Sequence, residues 1–355
     1  MMDRDRLPLI VPSSDAIGWP WQPIDQDRSD NGGVLPKISI ITPSFNQGIY
    51  LEATIRSVLL QKYPNYELII IDAGSTDSTL DVIRKYEPWI TYWVSEPDRG
   101  QSHAIQKGLA VATGDIINWI NSDDLLAPGA LHRIAAEFNL DTYDVLCGYC
   151  DYFVRDLNHL DLRNERMGLG QTVGDTILGG KINQPSTFFK ASVIKELGVD
   201  EQFHFTMDLD LWFRYLLRAG QSRILLSESL LTYFRLHEAS KTVALSPRFD
   251  IDIRKVMYNI FFSLNQPVEL LDFMRLSILD EKFVPTRYPV KIPAQQLSSL
   301  IRKYAWNAVI HYNERRNRSA ARVCLAVARQ NGWPINRALV RQWIKQYLLP
   351  ESLVR

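Results

Sequence analysis

Hydrophobic and polar positions alternate regularly from Lys37 to about residue 138. Four short runs rich in β-branched residues have the pattern of buried strands; they are Ile38–Ile41, Leu68–Ile71, Ile90–Val94 and Ile116–Ile120. Four segments with helical spacing separate or follow them: Tyr50–Gln61, Ser78–Tyr86, Ser102–Ala112 and Leu131–Phe138. Strands that alternate with helices predict an α/β fold with a mainly parallel sheet flanked by helices.

The chain on either side of this region has a different character. Residues 1–36 end in a flexible joint at Asn31-Gly32-Gly33 and are predicted to be a lead segment. After residue 153 the alternation weakens: we expect glycine-rich Leu169–Gly180 to be mobile, Asn183–Phe189 to form a strand and a helix to begin near Met207. An α/β domain over residues 37–245 and a mainly helical region over 246–355 complete the predicted organisation.

The composition fits a globular protein in a reducing compartment. The chain has 355 residues, 46% of them hydrophobic, and a formal net charge of zero. Its sequence has no apolar run near the ~18 residues that cross a bilayer and no signal-peptide pattern, so we expect a cytoplasmic protein. Cys147 and Cys150 lie in the predicted strand Tyr143–Phe153, where residues three apart face opposite sides, so core positions are favoured over a redox or zinc pair.

The C-terminal region is basic although the whole chain is neutral. From residue 301 onward the only acids are Glu314 and Glu351. The cationic residues there are Arg302, Lys303, Arg315, Arg316, Arg318, Arg322, Arg329, Arg337, Arg341, Lys345 and Arg355. Such a surface could rest on an anionic membrane or meet a lipid-linked diphosphate, whereas the simpler interpretation is a solvated face of a helical cap. The sequence has no recognisable nucleic-acid-binding module, so nucleic acid is not an expected partner.

The most informative segment follows the fourth predicted strand. Apolar Ile116–Ile120 runs directly into Asn121-Ser122-Asp123-Asp124, so two adjacent carboxylates stand at the C-terminal end of a strand. Ligands of open α/β sheets bind at this edge. A ligand set made only of oxygens favours Mg²⁺ or Mn²⁺ over zinc. This motif therefore predicts a site for a divalent metal and a polyphosphate.

The other three predicted strands end in polar loops on the same edge. These loops are Thr42-Pro43-Ser44-Phe45-Asn46-Gln47-Gly48, Asp72-Ala73-Gly74-Ser75-Thr76-Asp77 and Ser95-Glu96-Pro97-Asp98-Arg99-Gly100-Gln101-Ser102. Each alone could be an ordinary turn, with Ser75 or Asp77 as a helix N-cap. Asp72, at the last strand position, is instead expected to accept hydrogen bonds from a ribose or base. The sequence has neither a dinucleotide fingerprint nor a P-loop, yet four converging loops predict a nucleotide site.

The four motifs, in this order and spacing, resemble those of the family 2 glycosyltransferases, which are inverting enzymes of the GT-A fold. The resemblance extends from about Lys37 to Thr242 and implies that residues 37–245 are a GT-A catalytic domain. It implies transfer of a sugar from a nucleotide-diphosphate-sugar donor to a hydroxyl of a saccharide or lipid-linked saccharide, in surface polysaccharide or glycolipid synthesis. Such an enzyme would act in the cytoplasm or peripherally at the inner face of the membrane.

By position, the resemblance also assigns the donor site. The implied donor-binding residues are Pro43, Ser44, Phe45, Asp72, Asp98, Gly100, Asp123 and Lys241. Asp123 would contact the ribose or the donor sugar, and Lys241 would lie near the phosphates. Asp124 and His237 would hold the Mg²⁺ or Mn²⁺ that bridges the diphosphate. Because a lone histidine is more often structural, that alternative stays open for His237.

The second half of the resemblance supplies a general base. Asn183–Phe189 and Phe205–Trp212 are similar to the acceptor-binding half of the family, and by position Asp208 would take the proton of the acceptor hydroxyl. Glu201 is the reserve candidate. Asp208 and Asp210 could instead be helix-start acids that complement the macrodipole, and for Asp210 this explanation is equally good.

The chain departs from the family pattern at three positions. Asn121 stands where many relatives have an acid, and His103 and Gln106 stand where similar sequences often have Asp and Asn. These departures motivate an alternative from another class, a catalytically degenerate nucleotide-sugar-binding protein with a regulatory role. Glycoside hydrolysis is a third possibility, but it needs no diphosphate site and so leaves the acidic pair unexplained.

Overall fold

The computed structural model describes residues 18–22, 34–154, 157, 160–180, 182–237, 246–278 and 280–333. The strands of this part of the chain are β1 Ile38–Ser44, β2 Tyr66–Asp72, β3 Tyr92–Ser95, β4 Ile116–Trp119, β5 Leu125–Leu126, β6 Val145–Phe153, β7 Leu160–Glu165, β8 Thr187–Lys190 and β9 Ile224–Arg235. Its α-helices are α1 Gly48–Leu59, α2 Thr79–Tyr86, α3 Gln101–Val111, α4 Ala130–Glu137, α5 Val173–Gly179, α6 Ala191–Leu197, α7 Met207–Ala219, α8 Ser246–Ser263, α9 Val268–Arg275, α10 Ser298–Glu314 and α11 Arg318–Gln330. The predicted joint at residues 31–33 lies outside the described residues.

The regular first half of the fold agrees with the prediction. Its four strands and four helices begin and end within three residues of the predicted bounds. Strand β1 pairs in parallel with β2 and β4, and β2 pairs in parallel with β3. All seven residues of β1 are buried, as expected for a strand in a sheet covered on both faces. The α/β fold class is therefore confirmed.

The second half of the sheet mixes directions. The strand order is β3-β2-β1-β4-β8-β6-β9-β5, with β7 paired to β6. Strand β8 runs antiparallel to both β4 and β6, whereas β6 and β9 are parallel. The two-residue strand β5 pairs antiparallel with the end of β9, at Leu125↔Tyr233 and Leu126↔Thr232. This pairing brings the segment after the acidic motif beside the last strand.

The main core lies where helix α1 packs on strands β1 and β2. Alternate strand residues point to one face of the sheet, and residues of α1 at helical spacing fill the space against them. The residues concerned are Ile38, Ile40, Leu68 and Ile70 of the strands and Leu51, Ile55 and Val58 of the helix. Complete burial of each such side chain stabilises the fold by about 1.5–3 kcal/mol. These contacts fix the orientation of α1 beneath the strand ends.

The glycine-rich segment Leu169–Gly180 contains a capped helix, α5, rather than the mobile loop that was expected. Thr172 and Asp175 form a capping box, in which the Thr172 Oγ1 accepts from the Asp175 N–H at 3.2 Å and Asp175 Oδ2 accepts from the Thr172 N–H at 3.1 Å. Gly180 ends the helix with a φ of 61°, a left-handed conformation that favours glycine. Gly180, one of the glycines that suggested mobility, is thus explained by its place at the end of a helix.

Two further sequence predictions concern the segment Asn183–Phe189 and the two cysteines of β6. Asn183–Phe189, predicted to be a strand throughout, begins with a 3₁₀ turn over Gln184–Ser186, and only Thr187–Lys190 is extended. Cys147 and Cys150 are free thiols buried in β6, and burial raises the pKa of both to about 12. Their core position is therefore confirmed.

The chain forms two compact units. Among the described residues, the first unit takes those within 1–167, 182–211 and 223–244, and the second takes those within 168–181, 212–222 and 245–355. Helices α8 to α11 belong to the second unit, so its described part beyond residue 245 is mainly helical. The predicted domain bounds at residues 36 and 245 stay a prediction. In the described residues no helix combines the length and apolarity needed to span a membrane.

Glu67 holds the N-terminal edge of the sheet together. Its carboxylate accepts hydrogen bonds from the Ser39 hydroxyl at 2.6 Å, the Thr113 N–H at 2.8 Å and the Thr113 hydroxyl, and pairs with the Lys37 ammonium at 2.5 Å. Although burial opposes ionisation, these donors lower the pKa of Glu67 to about 2. The ionised form is therefore built into the fold.

We predict that Glu67→Gln destabilises the protein by about 3 kcal/mol at pH 7, since its pKa is about 2 instead of 4.5 and each pKa unit corresponds to roughly 1.4 kcal/mol. Because the folded pKa lies below the usual value, this contribution is complete above about pH 4.5 and disappears as the pH falls towards 2. Urea unfolding at pH 7 and pH 4 measures it. Asp81→Asn, at an exposed α2 position, is the control and should change stability by less than about 0.5 kcal/mol.

Candidate functional site

Three strand ends lie side by side at the C-terminal edge of the sheet. The register pairs Ser44 of β1 with Asp72 of β2, and Asp72 with Ser95 of β3. Strand β4 ends beside them, because Ile120 N–H donates to the carbonyl of Ile41 at 2.9 Å. The sequence prediction that four polar loops share one edge therefore agrees with the observed register.

Asp72 is fully buried and organises the turn that follows β2. Its carboxylate accepts from the Gly74 and Ser75 N–H groups at 3.1 and 2.9 Å, from the Ser75 hydroxyl at 2.5 Å and from the Ser95 hydroxyl at 2.6 Å. The sequence suggested a carboxylate kept for a ligand, but most of its acceptor capacity serves its own loop and the end of β3. Its implied contact with a donor stays a prediction.

The turn between β1 and α1 is fastened to the turn after β2. Asn46 donates its N–H to the Ser75 hydroxyl at 2.8 Å, and the Gly48 N–H donates to Asp77 Oδ2 at 2.9 Å. A Cβ added at Gly48 would lie 2.2 Å from the Ser78 Oγ, so the two turns touch without room for a side chain. This contact fixes the position of the loop that carries Phe45.

Phe45 and Ser44 offer two kinds of contact at this edge. The Phe45 side chain is 58% exposed, which is unusual for a phenylalanine beside a buried strand. The Ser44 hydroxyl is buried and has no hydrogen-bond partner in the described part of the chain. An exposed ring can stack on a planar base, and a buried unpaired hydroxyl can bind a polar ligand atom. Pro43 precedes both at the end of β1.

The third loop is tied to the segment that leads into α7. Gly100 has a φ of 111° and donates its N–H to Asp98 Oδ1 at 2.7 Å. Arg99 binds both carboxylate oxygens of Glu201, at 2.8 and 3.0 Å, and the Ser102 hydroxyl donates to the carbonyl of Phe203 at 2.6 Å. The loop after β3 and the segment that leads to Asp208 are therefore joined by side chains.

The acidic motif is held from two sides. Asp124 is fully buried; its Oδ1 accepts from the Arg235 N–H at 3.0 Å and its Oδ2 accepts from the Asn121 amide at 3.1 Å. Asn121 in turn accepts from the Gln101 amide at 2.7 Å. Burial first, and then the neighbouring charge of Asp123, raises the pKa of Asp124 well above its usual value. A positive charge placed here would relieve that cost.

Asp123 is the more accessible of the two acids and pairs with His237. Their side chains are 17% and 11% exposed, and His237 Nε2 lies 2.8 Å from Asp123 Oδ2. The His237 ring also packs against Tyr50, with ring centroids 4.8 Å apart. Residues 121–124 and 237 are therefore brought together, and the implied metal role of Asp124 and His237 stays a prediction. Lys241 lies outside the described residues.

Arg235 was not singled out from the sequence, although an arginine in the apolar strand β9 was a usable signal. Its Nε donates to the carbonyl of Asp123 at 2.9 Å. Its guanidinium lies over the rings of Tyr50 and Phe153, 4.8 and 4.3 Å from their centroids. Burial lowers its pKa, while the acidic pair acts in the opposite direction. Arg235 thus contacts both acids of the motif from the end of β9.

These side chains fit a divalent ion that substrate helps to bind. In the part of the chain that the structure describes, no group of three or more His, Cys, Asp or Glu side chains could hold a metal alone. Mg²⁺ usually takes one or two carboxylates and completes its shell with water and substrate phosphates. His237 Nε2 already lies within hydrogen-bond distance of Asp123 Oδ2, at 2.8 Å, so an imidazole and the acidic pair meet where such an ion could bind.

Asp208 lies at the beginning of α7 and is partly buried. Burial, and next the charge of nearby Asp210, raises its pKa to about 6, although the Leu209 N–H donates to Oδ1 at 2.8 Å. The reserve candidate Glu201 differs, since the Arg99 hydrogen bonds lower its pKa. A carboxylate with a raised pKa is the better proton acceptor.

Comparison with known proteins follows the same motifs. A family model described as glycosyl transferase family 2 matches residues 39–198. The chain is similar to glycosyltransferase family 2 over these residues, which make up just under half of its length. Among its relatives, a glycosyltransferase of Rickettsia typhi is 31% identical over 219 residues, covering 58% of this chain and 66% of the relative. TuaG of Bacillus subtilis, named as a teichuronic acid biosynthesis glycosyltransferase, is 40% identical over 92 residues, covering 25% and 36%.

The chain spans just under two thirds of the Rickettsia typhi and Rickettsia prowazekii relatives, at 66% each, and 37% of a Nostoc glycosyltransferase. Solved structures share its fold. TarS of S. aureus, residues 1–349, has a TM-score of 0.50 at 20% identity, covering 84% of this chain and 92% of that one. The same protein in complex with UDP-GlcNAc has a TM-score of 0.52 at 18% identity, covering 84% and 93%. This likeness confirms the GT-A type of fold.

We predict that Asp208→Asn stabilises the protein at pH 7.5 relative to the wild type, but not at pH 4. Because the folded pKa is about 6, above the usual 3.8, folding favours the protonated carboxyl, and the penalty for its charge develops as the pH rises through this range. The difference in melting temperature between the two proteins at each pH measures the effect. A variant that is less stable than the wild type at pH 7.5 would contradict the raised pKa.

Proposed function

We propose that this protein is an inverting glycosyltransferase that uses a nucleotide-diphosphate-sugar donor and a hydroxyl acceptor. The observation that carries the proposal is one edge of the sheet with an exposed Phe45 at one strand end and the Asp123, Asp124 and His237 cluster at another. An aromatic platform suits a base, and an acid and imidazole cluster suits the metal on a diphosphate. Together they match the two ends of a nucleotide-sugar.

In this proposal the donor lies along the strand ends. The base stacks on Phe45 and the nucleoside contacts Pro43, Ser44 and Asp72, with Asp98 and Gly100 beside it. Asp124 and His237 hold Mg²⁺ or Mn²⁺, Asp123 contacts the ribose or sugar, and Lys241 binds the phosphates. When bound, the metal stabilises the negative charge that develops on the leaving diphosphate. Asp123 is more accessible than the fully buried Asp124. The two acids are therefore tested with separate variants.

Asp208 is the proposed general base. It takes the proton of the acceptor hydroxyl while that oxygen forms a bond to the anomeric carbon, and the bond from this carbon to the diphosphate oxygen breaks on the opposite face. Attack opposite the leaving group inverts the anomeric centre. A pKa of about 6 supports this role, because the carboxylate is ionised at neutral pH yet more basic than an ordinary aspartate.

The proposed acceptor is a saccharide or lipid-linked saccharide in surface polysaccharide or glycolipid synthesis at the cytoplasmic side. Support comes from the name of the TuaG relative, which refers to teichuronic acid biosynthesis. The donor nucleotide is left open, since the TarS complex with UDP-GlcNAc supports only the fold of this chain.

We predict that Asp124→Ala abolishes both donor binding and transfer, whereas Asp208→Asn binds donor but turns over 10²–10⁴-fold more slowly, the usual loss when a general base is removed. A thermal-shift screen of nucleotide-sugars with and without Mn²⁺ measures binding, and product NMR reports rate and anomeric configuration. Wild-type kcat/KM should fall tenfold per pH unit below about pH 6.

Asp81→Asn is the control for both variants, because the Asp81 side chain is 83% exposed and pairs with Arg84 of the same helix. Full transfer activity in either site variant would contradict its assigned role. Donor binding by the wild type with no turnover on any acceptor would instead favour the regulatory, catalytically degenerate alternative. If Asp123→Asn loses the Mn²⁺ dependence of donor binding and Asp124→Asn keeps it, Asp123 is the metal ligand and the roles assigned to the two acids are reversed.

We further propose that helices α10 and α11 rest on an anionic membrane surface. From Ser298 to Trp333 the chain has seven Lys and Arg residues and one acid, Glu314. Lys303 is exposed on α10 and Arg329 on α11, and Ile310 is 37% exposed on the same helix as Lys303. Exposed cations beside an apolar side chain suit the anionic lipid surface on which a lipid-linked acceptor would lie.

We predict that the protein co-sediments with vesicles containing 30% phosphatidylglycerol but not with pure phosphatidylcholine. Lys303→Glu with Arg329→Glu should weaken vesicle binding about thirtyfold, because each cation near an anionic surface contributes about 1 kcal/mol. Arg84→Glu on α2 reverses one exposed charge elsewhere and should leave binding unchanged. If the wild type binds both vesicle types equally, membrane contact through anionic lipid is refuted. The same holds if the double variant binds as much as the wild type.

A further inference from the structure

Helix α1 has a buried polar stripe on the side that faces the acidic motif. Thr54 and Ser57 of α1, with Gln61 just beyond its end, are fully buried and lie at i, i+3 and i+7, the spacing of one helix face. Such positions are normally apolar, since a buried polar group without a partner costs roughly 1–3 kcal/mol. Their partners therefore indicate what the stripe does.

All three side chains bind the backbone directly after Asp123. The Thr54 hydroxyl donates to the carbonyl of Asp124 at 2.8 Å, and the Ser57 hydroxyl accepts from the Leu126 N–H at 3.0 Å. The Gln61 amide donates to the carbonyl of Ala127 at 3.0 Å. Three successive contacts thus fix residues 124–127 to α1. Strand β5 comprises only two of these residues, so side chains supply much of what a longer strand ladder would provide.

A residue from the lead segment completes this support. Trp19 is 5% exposed, and its Nε1 donates to the carbonyl of Leu126 at 2.9 Å. Arg56 of α1 keeps the neighbouring backbone in place, since its guanidinium donates to the carbonyls of Pro20 and Trp21, both at 3.2 Å. The tryptophan therefore binds the motif segment from outside the family-matched region, which begins at residue 39.

The same segment reaches the acids through Phe153. Trp21 packs against a small cluster of Ala53, Leu125 and Phe153, and the Arg235 guanidinium lies over the Phe153 ring, 4.3 Å from its centroid. Arg235 in turn donates to the Asp123 carbonyl. The acidic motif is thus supported by α1 and Trp19 along residues 124–127, and by a stacked ring and an arginine at Asp123.

We propose that Trp19 and Thr54 are positioning residues for Asp123 and Asp124, so that the metal and diphosphate site includes residues upstream of the matched family domain. This proposal rests on the proposed function for the identity of the ligand, the metal and diphosphate, whereas the positioning contacts themselves do not depend on it. Side chains that orient the groups around a metal typically change affinity or activity 10–100-fold when they are removed. Both side chains are buried and bind backbone carbonyls of residues 124 and 126, so each acts through the backbone that carries the acids.

The test uses the full-length chain with Thr54→Val and Trp19→Phe, which remove one hydrogen bond each and keep most of the side-chain volume. Calorimetric titration with UDP and with GDP, each with Mn²⁺, should show affinity reduced about tenfold in both variants, while Thr54→Ser restores it. Hydrogen exchange should accelerate at least tenfold at the amides of residues 121–127. Glu67→Gln is the control for loss of stability, since Glu67 lies at the N-terminal, opposite edge of the sheet.

Mn²⁺-nucleotide affinity within twofold of the wild type in both variants would overturn the proposal, as would an equal loss in Glu67→Gln. If the wild type binds neither nucleotide, the proposed function fails, and the exchange measurement decides the positioning role by itself. Faster exchange at 121–127 in Thr54→Val and Trp19→Phe but not in Glu67→Gln would then support positioning. Unchanged exchange in these variants would refute it.

Discussion

The parallel register of β1, β2 and β3 is the constraint on which the candidate site depends. It places Ser44, Asp72 and Ser95 in one row. A slip of one residue would turn every strand side chain to the other face and would break the hydrogen bonds of Glu67 with Ser39 and Thr113. The carboxylate of Asp72 then joins two of these strand ends through hydrogen bonds. The edge is therefore organised by the sheet before any ligand arrives.

The acidic motif poses an electrostatic problem that distant parts of the chain solve. Two adjacent carboxylates repel one another, and burial makes the charge of Asp124 costly. Backbone and side-chain donors from Arg235, an amide from Asn121 and an imidazole from His237 surround them. The acidic motif is a continuous tetrapeptide that follows β4 in the sequence, but contacts that hold it come also from separate elements, β9 and α1. The asparagine that departs from the family pattern serves here as a hydrogen-bond donor to the neighbouring acid.

The sequence predicts the first half of the fold because strands of four to seven residues and helices of eight to twelve carry a readable period. It predicts less where local signals are short or mixed: β5 has two residues, and the glycines near α5 belong to a cap. Motif residues at strand ends were located correctly. The contacts of Trp19, Thr54 and Arg235 with the acidic segment were not predicted, since their partners lie far along the chain. Polar residues on a helix or strand usually indicate a solvent-exposed position.

Gly48 shows how little tolerance this edge has. Its hydrogen atom faces the Ser78 side chain at a distance that a methyl group cannot occupy. Even alanine would have to push the first two strand-end turns apart, and with them the exposed ring of Phe45 and the loop organised by Asp72. A single carbon atom added at Gly48, only two residues before the Tyr50 ring that packs against His237, would thus displace the turn that carries Phe45.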